Sequence, residues 1–480
     1  MEAGWGLDAC GGNSADRFWG CKRFGVIVVV AQAYSKRRSV QRAESVVQNV
    51  GTSRVSERPN LTAERVHSQG LNHCDAPPLL LYHPASFGLP KPPATQHPGS
   101  NLHKRKVLFF IGADWYFCSH RLQLARGLQR AGFEIVVLTH VRADGERIRS
   151  EGFRLIESSL QRASLNPIND IKSLFGTLSA YRAEKPDVAH HVGIKPILYG
   201  SLASLMTSTP AMVNAFAGTG YLFNSSDRSA RAIRVVVSRF MKWLLNRGNA
   251  RVLLQSDHAR DVMVQSGMLR PDRIAVIRGS GVDLDEFAPT PEPPGTPLVV
   301  LPGRMLWDKG VGDFVKAAGI LRQRNVHVRM ALVGAPDVAN PSAIPDAQLE
   351  AWRDGGDVEW WGHQADMPSV LAQSHIVCLP SYHEGVPKAL IEGAASGRAL
   401  IASDIPGCRE VVEDGKNGLL VPPGDAETLA NAIERLAGDR DLRQQLGNNG
   451  RRVAVENFSI ESVVQKTQAI YEELLAACPA

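Results

Sequence analysis

The sequence predicts an α/β protein built from two doubly wound, Rossmann-like halves facing each other across a cleft. Three observations predict it: short apolar runs alternate with stretches of helical period, the alternation restarts after a proline-rich linker, and glycine-bearing loops follow the apolar runs. The chain has 480 residues, 44% of them apolar, which is enough for two large α/β domains. A charged fraction of 21% excludes an integral membrane protein and a wholly disordered chain.

The first 105 residues carry no sustained period and turn proline-rich toward their end, so they are expected to be a disordered or spurious extension. Their apolar run over residues 24–33 is far shorter than the roughly 20 residues a membrane span needs. Acidic residues and Trp precede that run and Lys36, Arg37 and Arg38 follow it, which does not fit a signal peptide. The seven cysteines show neither metal-ligand spacing nor a disulfide framework, so a reducing, cytoplasmic compartment is expected.

The net charge of +6 invites a search for an anionic partner. Residues 1–105 hold 13 Lys/Arg and 7 Asp/Glu; subtracting these from the totals of 54 and 48 leaves 41 of each sign in the remainder. A nucleic-acid binder carries its excess on the folded domain, so no nucleic-acid partner is expected.

The first half opens at Lys106. Residues 106–112 (KVLFFIG) read as a strand closed by glycine, 120–131 as a helix and 134–139 as the next strand, the start of a parallel sheet. Apolar runs at 188–191, 211–214 and 250–255 extend it. After the linker at 289–297, strands at 298–302, 329–334 and 376–380 and helices at 311–322 and from Pro387 repeat the plan. The expected domains are therefore 106–288 and 298–458, with 459–480 as a final helix. Ligands of such sheets bind beyond the carboxyl ends of the strands, so the function belongs to the strand-to-helix loops.

Two loops of the second half carry chemistry. In residues 381–392 (SYHEGVPKALIE), Pro387 suits a first helical turn, Gly385 allows close backbone approach, and the helix start offers free N–H groups to an anion such as a diphosphate. Glu384 and Glu392 flank that cradle and suit sugar hydroxyls. In residues 303–310 (GRMLWDKG), Arg304 and Lys309 supply a fork and a point charge for a phosphate pair, without the spacing of a Walker loop.

These two loops, together with residues 277–287 (IRGSGVDLDEF) and 404–421 (DIPGCREVVEDGKNGLLV), resemble glycosyltransferase family 4 over residues 106–475. The resemblance implies the GT-B fold, an acceptor-binding first domain, a second domain that holds a nucleotide-sugar, and retaining transfer. It assigns Arg304 and Lys309 to the donor diphosphate, Glu392 to the ribose, Glu384 to the donor sugar, with Gly385 and Val386 beside them, and Gly112 to the floor under phosphate and acceptor. Glu384, Arg304 and Lys309 are the expected catalytic group. The donor is expected to be a UDP-sugar, which is a substrate, and no cofactor or metal is expected. Asp283 and Asp285 match an Asp-x-Asp metal pattern of another transferase fold, but they sit at the domain junction, where the family counterpart is structural.

In the first half, residues 119–121 and 190–200 resemble the branch that builds bacterial surface polysaccharides on lipid diphosphate carriers. His120 and Arg121, read as near a helix start, are candidates for an acceptor phosphate. His191 and Lys195 are candidates for the donor sugar; capping or packing roles stand as the alternative for all four. Residues 226–251 carry seven basic residues against Asp227 on an amphipathic pattern. That pattern fits a helix on an anionic membrane surface and, equally, a helix packed on its own sheet with a solvated basic face. The function expected is transfer of a hexose to a saccharide or lipid-linked saccharide in envelope polysaccharide synthesis. A nucleotide-sugar epimerase and a non-catalytic nucleotide-sugar binder are the alternatives.

Overall fold

The computed structural model describes residues 104–160, 167–216, 239–338 and 340–477. The expectation for the N-terminal extension therefore lies, up to residue 103, outside the described residues, as do residues 226–238 of the basic stretch.

The first lobe is a seven-stranded parallel sheet: β1 Lys106–Ile111, β2 Glu134–Thr139, β3 Arg154–Glu157, β4 Val188–Val192, β5 Ala211–Ala215, β6 Ala250–Leu254 and β7 Ile274–Val276, in the order β3-β2-β1-β4-β5-β6-β7. The second lobe holds β8 Leu298–Pro302, β9 Arg329–Val333, β10 Glu359–Trp360, β11 Ile376–Leu379, β12 Ala399–Ser403 and β13 Leu419–Val421, in the order β10-β9-β8-β11-β12-β13. Both orders reverse beside the first strand of the lobe, between β1 and β4 and between β8 and β11. Such switch points open a crevice at the carboxyl ends of the strands. The central strands are apolar without alternation because helices cover both faces; every residue of β4, β8 and β12 is buried.

The helices that place the site are α1 Asp114–His120, α2 Leu122–Arg130, α3 Pro167–Glu184, α4 Ile194–Met206, α5 Val311–Gln323, α6 Lys388–Ala395, α7 Arg440–Phe458 and α8 Ile460–Ala476. The helix expected over 120–131 is α2, Leu122–Arg130, and an unexpected short helix, α1, precedes it; the two are separated at Arg121, whose φ of −128° and ψ of −12° leave the helical region. At the start of α1 the buried Asp114 carboxylate accepts N–H bonds from Arg142 and Asp144, at 2.6 and 3.0 Å, tying the loop after β1 to the loop after β2.

The chain returns to the first lobe at its end. Ser459 caps α8 through the N–H of Ser462, and α8 lies on α2 and beside β5. A Cβ at Gly127 of α2 would stand 2.3 Å from Val464 Cγ2, so glycine is what lets the two helices approach. The Tyr471 hydroxyl pairs with His190 Nδ1 at 2.5 Å inside the core. Where the connections between lobes pass each other, Val282 N–H donates to Phe458 O and Ile460 N–H to Val282 O. Asp283 accepts the N–H groups of Asp285 and Glu286 and so shapes the turn at this junction.

The described part of the basic stretch, helical over residues 239–245, buries Met241, Leu244 and Leu245 in its own lobe. Arg239, Lys242 and Trp243 are exposed, and Arg247 stands over the Trp243 ring. Among the described residues no helix is long and apolar enough to cross a membrane.

Candidate active site

The loop after β8 is shaped by what glycine permits. Gly310 has φ 70°, and a Cβ there would lie 2.0 Å from the carbonyl oxygen of Pro380, at the exit of β11. Only glycine lets the β8 loop rest on the β11 loop, and the contact is fixed by Tyr382 N–H to Asp308 O at 3.0 Å. This contact brings Lys309 Nζ onto Glu384 Oε1, although the two residues are 75 apart in the chain. Gly407 does the same from below: a Cβ there would stand 1.9 Å from Gly385 O, so the segment after β12 supports the backbone of residues 384–385.

Beyond Gly385 the chain enters α6. Pro387 is the residue preceding the helix, at φ −74° and ψ 118°, not a member of its first turn, and no side chain caps the N-terminus. The uncapped N–H groups and the positive end of the helix dipole favour an anion there. Val386 is buried in the lobe core. Glu392, 6% exposed, accepts a hydrogen bond from Lys388 one turn earlier. Arg304 leaves β8 and donates to Asp337 Oδ2 at 2.7 Å. All three cations of the cradle, Arg304, Lys309 and Lys388, thus stand on carboxylates of their own lobe.

The first lobe faces this cradle with the loop after β1. Gly112 has open space where a side chain would be. From α1, Trp115 lies under the Arg304 guanidinium, with Cζ 5.6 Å from the ring centroid. Tyr116 stacks on His120 at 4.3 Å. Burial, and then the positive charges of Arg121, Lys388, Arg304 and Lys309, push the His120 imidazole down to about 3. His120 is therefore neutral near pH 7 and faces cations from both lobes.

The structure thus pairs Lys309 with Glu384 and Lys388 with Glu392, brings Arg304 to Trp115 of the first lobe, and sets His120 in the field of these cations, while Gly112 directly follows β1 in the loop that leads to Trp115. Three of the other candidates differ. His120 closes α1 and Arg121 is the residue preceding α2, so both stand at a helix start, that of the second helix of the lobe. Arg121 is buried and donates from Nη1 to His120 O, which leaves little of it open to an acceptor phosphate. His191 is fully buried within β4, paired with Tyr181 at 2.9 Å and Asn214 at 2.7 Å, so it has no ring nitrogen for a sugar. Lys195 forms an ion pair with Asp170 of α3 at 2.9 Å. Sequence reasoning missed Trp115, Asp337 and Lys388. Lys388 was the most accessible of these, because a lysine four residues before Glu392 on a helix lies on the same face.

Residues 119–279 match the family model "Glycosyl transferase 4-like domain", and residues 296–439 match "Glycosyl transferases group 1". The chain is 26% identical over 381 residues to the N,N'-diacetylbacillosaminyl-diphospho-undecaprenol alpha-1,3-N-acetylgalactosaminyltransferase of Campylobacter jejuni, an alignment covering 77% of this chain and 98% of that protein. Over 331 residues it is 25% identical to the UDP-Gal:alpha-D-GlcNAc-diphosphoundecaprenol alpha-1,3-galactosyltransferase of Escherichia coli, covering 65% of this chain and 82% of that one.

The chain belongs to glycosyltransferase family 4.

The transferase shares its GT-B fold with a glycosyltransferase from Rickettsia africae, at a TM-score of 0.64 and 20% identity over 78% of this chain and 99% of the other. Anabaena HepE in complex with UDP has the same fold, at a TM-score of 0.61 and 19% identity over 77% and 100%. The two family models meet the glycosyltransferase in two separate lobes, ending and starting at residues 279 and 296, on either side of the junction between β7 and β8.

Proposed function

We propose that this glycosyltransferase transfers a hexose from a UDP-sugar to a saccharide or lipid-linked saccharide acceptor, with retention of configuration, in envelope polysaccharide synthesis at the cytoplasmic side. The observation that carries the reading is the paired charge of the cradle, in which Arg304, Lys309 and Lys388 stand on Asp337, Glu384 and Glu392. Each of these part-exposed cations has a carboxylate of its own lobe as its counter-charge. A donor diphosphate takes over that role, and Glu384 and Glu392 are released to accept hydrogen bonds from hydroxyls of the donor sugar and the ribose.

Departure of the nucleoside diphosphate builds negative charge on phosphate oxygens. Arg304, Lys309 and the uncapped start of α6 are fixed around that charge, where they favour the transition state over the bound donor. In a front-side displacement the leaving phosphate itself takes the proton of the acceptor hydroxyl, so no protein base and no metal are required. The open space beside Gly112 leaves room for the acceptor under the phosphates. The UDP donor and diphosphate-linked acceptors printed in the names of the Escherichia coli and Campylobacter jejuni relatives support this choice of substrates. We place the exposed Arg239, Lys242 and Trp243 toward an anionic membrane surface that presents such an acceptor.

A thermal-shift screen of nucleotide-sugars tests the donor. A ligand at 100 times its Kd stabilises the native state by about 2.7 kcal/mol, so the true donor raises the midpoint while unrelated nucleotides do not. In a transfer assay with that donor, Lys309→Ala and Glu384→Ala should each lose on the order of a hundredfold in kcat, with activity unchanged by EDTA. Wild-type rates in both variants would end this reading of the site.

A further inference from the structure

We propose that Trp115 is a positioning residue of the nucleotide site: its ring, carried by the first lobe, holds the Arg304 guanidinium of the second lobe in the orientation that receives the diphosphate. The proposal rests on the reading of Arg304 as a diphosphate ligand. Arg304 follows Gly303, which has no side chain to brace it, and its own side chain is 38% exposed. Holding a long side chain in one rotamer costs entropy, and that cost falls on the ligand unless the protein has met it beforehand.

Two groups restrain Arg304. Asp337, from the same lobe, engages Nη1. Trp115 lies 5.6 Å from Cζ and attracts the charge through its ring face. A ring face occupies no N–H donor, so the rest of the guanidinium fork stays available for phosphate oxygens. Trp115 is itself well anchored. Its backbone N–H donates to Asp114 Oδ1 at 2.8 Å, and the buried Asp114 carboxylate also holds the loop after β2. Its ring meets Tyr116 edge to face at 5.7 Å, and Tyr116 stacks on His120.

Because ring and guanidinium belong to different lobes, their contact exists only while the lobes are apposed. Nucleotide affinity and lobe apposition are then linked, and the linkage is reciprocal. A side chain that merely filled space in the first lobe would have no such effect on a ligand of the second.

Calorimetric titration of the full-length chain with UDP, and in separate arms GDP and ADP, tests the proposal on Trp115→Ala, Trp115→Phe, Arg304→Ala and the Trp115→Ala/Arg304→Ala pair. Trp115→Ala should weaken binding roughly two- to thirtyfold, Trp115→Phe should recover part of the loss, and removing Trp115 should cost nothing further once Arg304 is gone. An equal loss with and without Arg304, or no loss at all, would overturn it. If the Trp115→Ala protein proves unfolded by thermal melting, Trp115→Phe combined with Arg304→Ala runs the same cycle. If the wild type binds none of the three nucleotides while folded, the diphosphate reading itself has failed and the role of Trp115 falls with it.

Discussion

His191 pairs with the Tyr181 hydroxyl and the Asn214 side chain and is shut off from solvent, and burial pushes its imidazole down to about 4. An unfolded histidine titrates near 6.5, so between these values the unfolded chain binds a proton that the folded chain refuses. The folded pKa is the lower one. The stabilising contribution is therefore complete above about pH 6.5 and is lost as pH falls toward 4, a total on the order of 3 kcal/mol. Urea unfolding at a series of pH values should show a slope in this window that is shallower by about one proton in His191→Gln. An unchanged slope would assign the acid sensitivity to other groups. The same residue shows how a site reading goes astray. His191 stood at the end of an apolar run before Gly193, where a loop ligand belongs, but β4 runs on to Val192 and keeps it inside the sheet. In a strand, one residue more or less decides which side a side chain faces. Glu384 and Lys309 were legible because each stands directly before a glycine in a loop that follows an apolar strand, whereas Trp115 and Asp337 were not, since their role arises from contacts between distant segments.

At the scale of elements, central strands such as β1, β8 and β11 could be read as apolar runs, since they are covered on both faces. The short edge strands β3, β7 and β10 escaped because two to four residues carry no measurable period and take their conformation from pairing with a neighbour. Helix α1 escaped for a related reason: the Asp114 carboxylate at its start holds residues 28 and 30 positions away, a contact that no local pattern shows. The docking of α8 on α2 makes a test of element packing. A Cβ at position 127 would meet Val464, so Gly127→Ala should destabilise the protein by about 1–2 kcal/mol despite a gain near 1 kcal/mol in helix propensity. In a Val464→Ala background the clash is removed and the propensity gain remains, so the same substitution should become neutral or stabilising. Denaturant midpoints of the four proteins measure this, and an identical effect in both backgrounds would show that Val464 does not limit the approach of the two helices.

At the scale of the whole molecule, the +6 of the full chain misleads, because it resides in residues 1–105 and the remainder carries 41 charges of each sign. An overall attraction to anionic surfaces is therefore absent from residues 106–480, and membrane contact must come from a local face. Of the candidate face, residues 239–251 are described. With Met241, Leu244 and Leu245 buried in the lobe, the helix over residues 239–245 has no free apolar stripe to insert between lipids. What it offers is Arg239, Lys242 and the Trp243 ring beneath Arg247, a patch suited to electrostatic contact with one aromatic anchor. Such contact is screened within about 8 Å at physiological ionic strength and reaches about 30 Å in 0.01 M salt. The full-length transferase should accordingly float with phosphatidylglycerol vesicles at low salt, detach as salt approaches physiological strength, and ignore phosphatidylcholine vesicles at any salt. Exchanging Arg239 and Lys242 for Gln should lower the salt at which it detaches. Vesicle binding that survives high salt would instead require apolar insertion, which the buried face of this helix cannot supply.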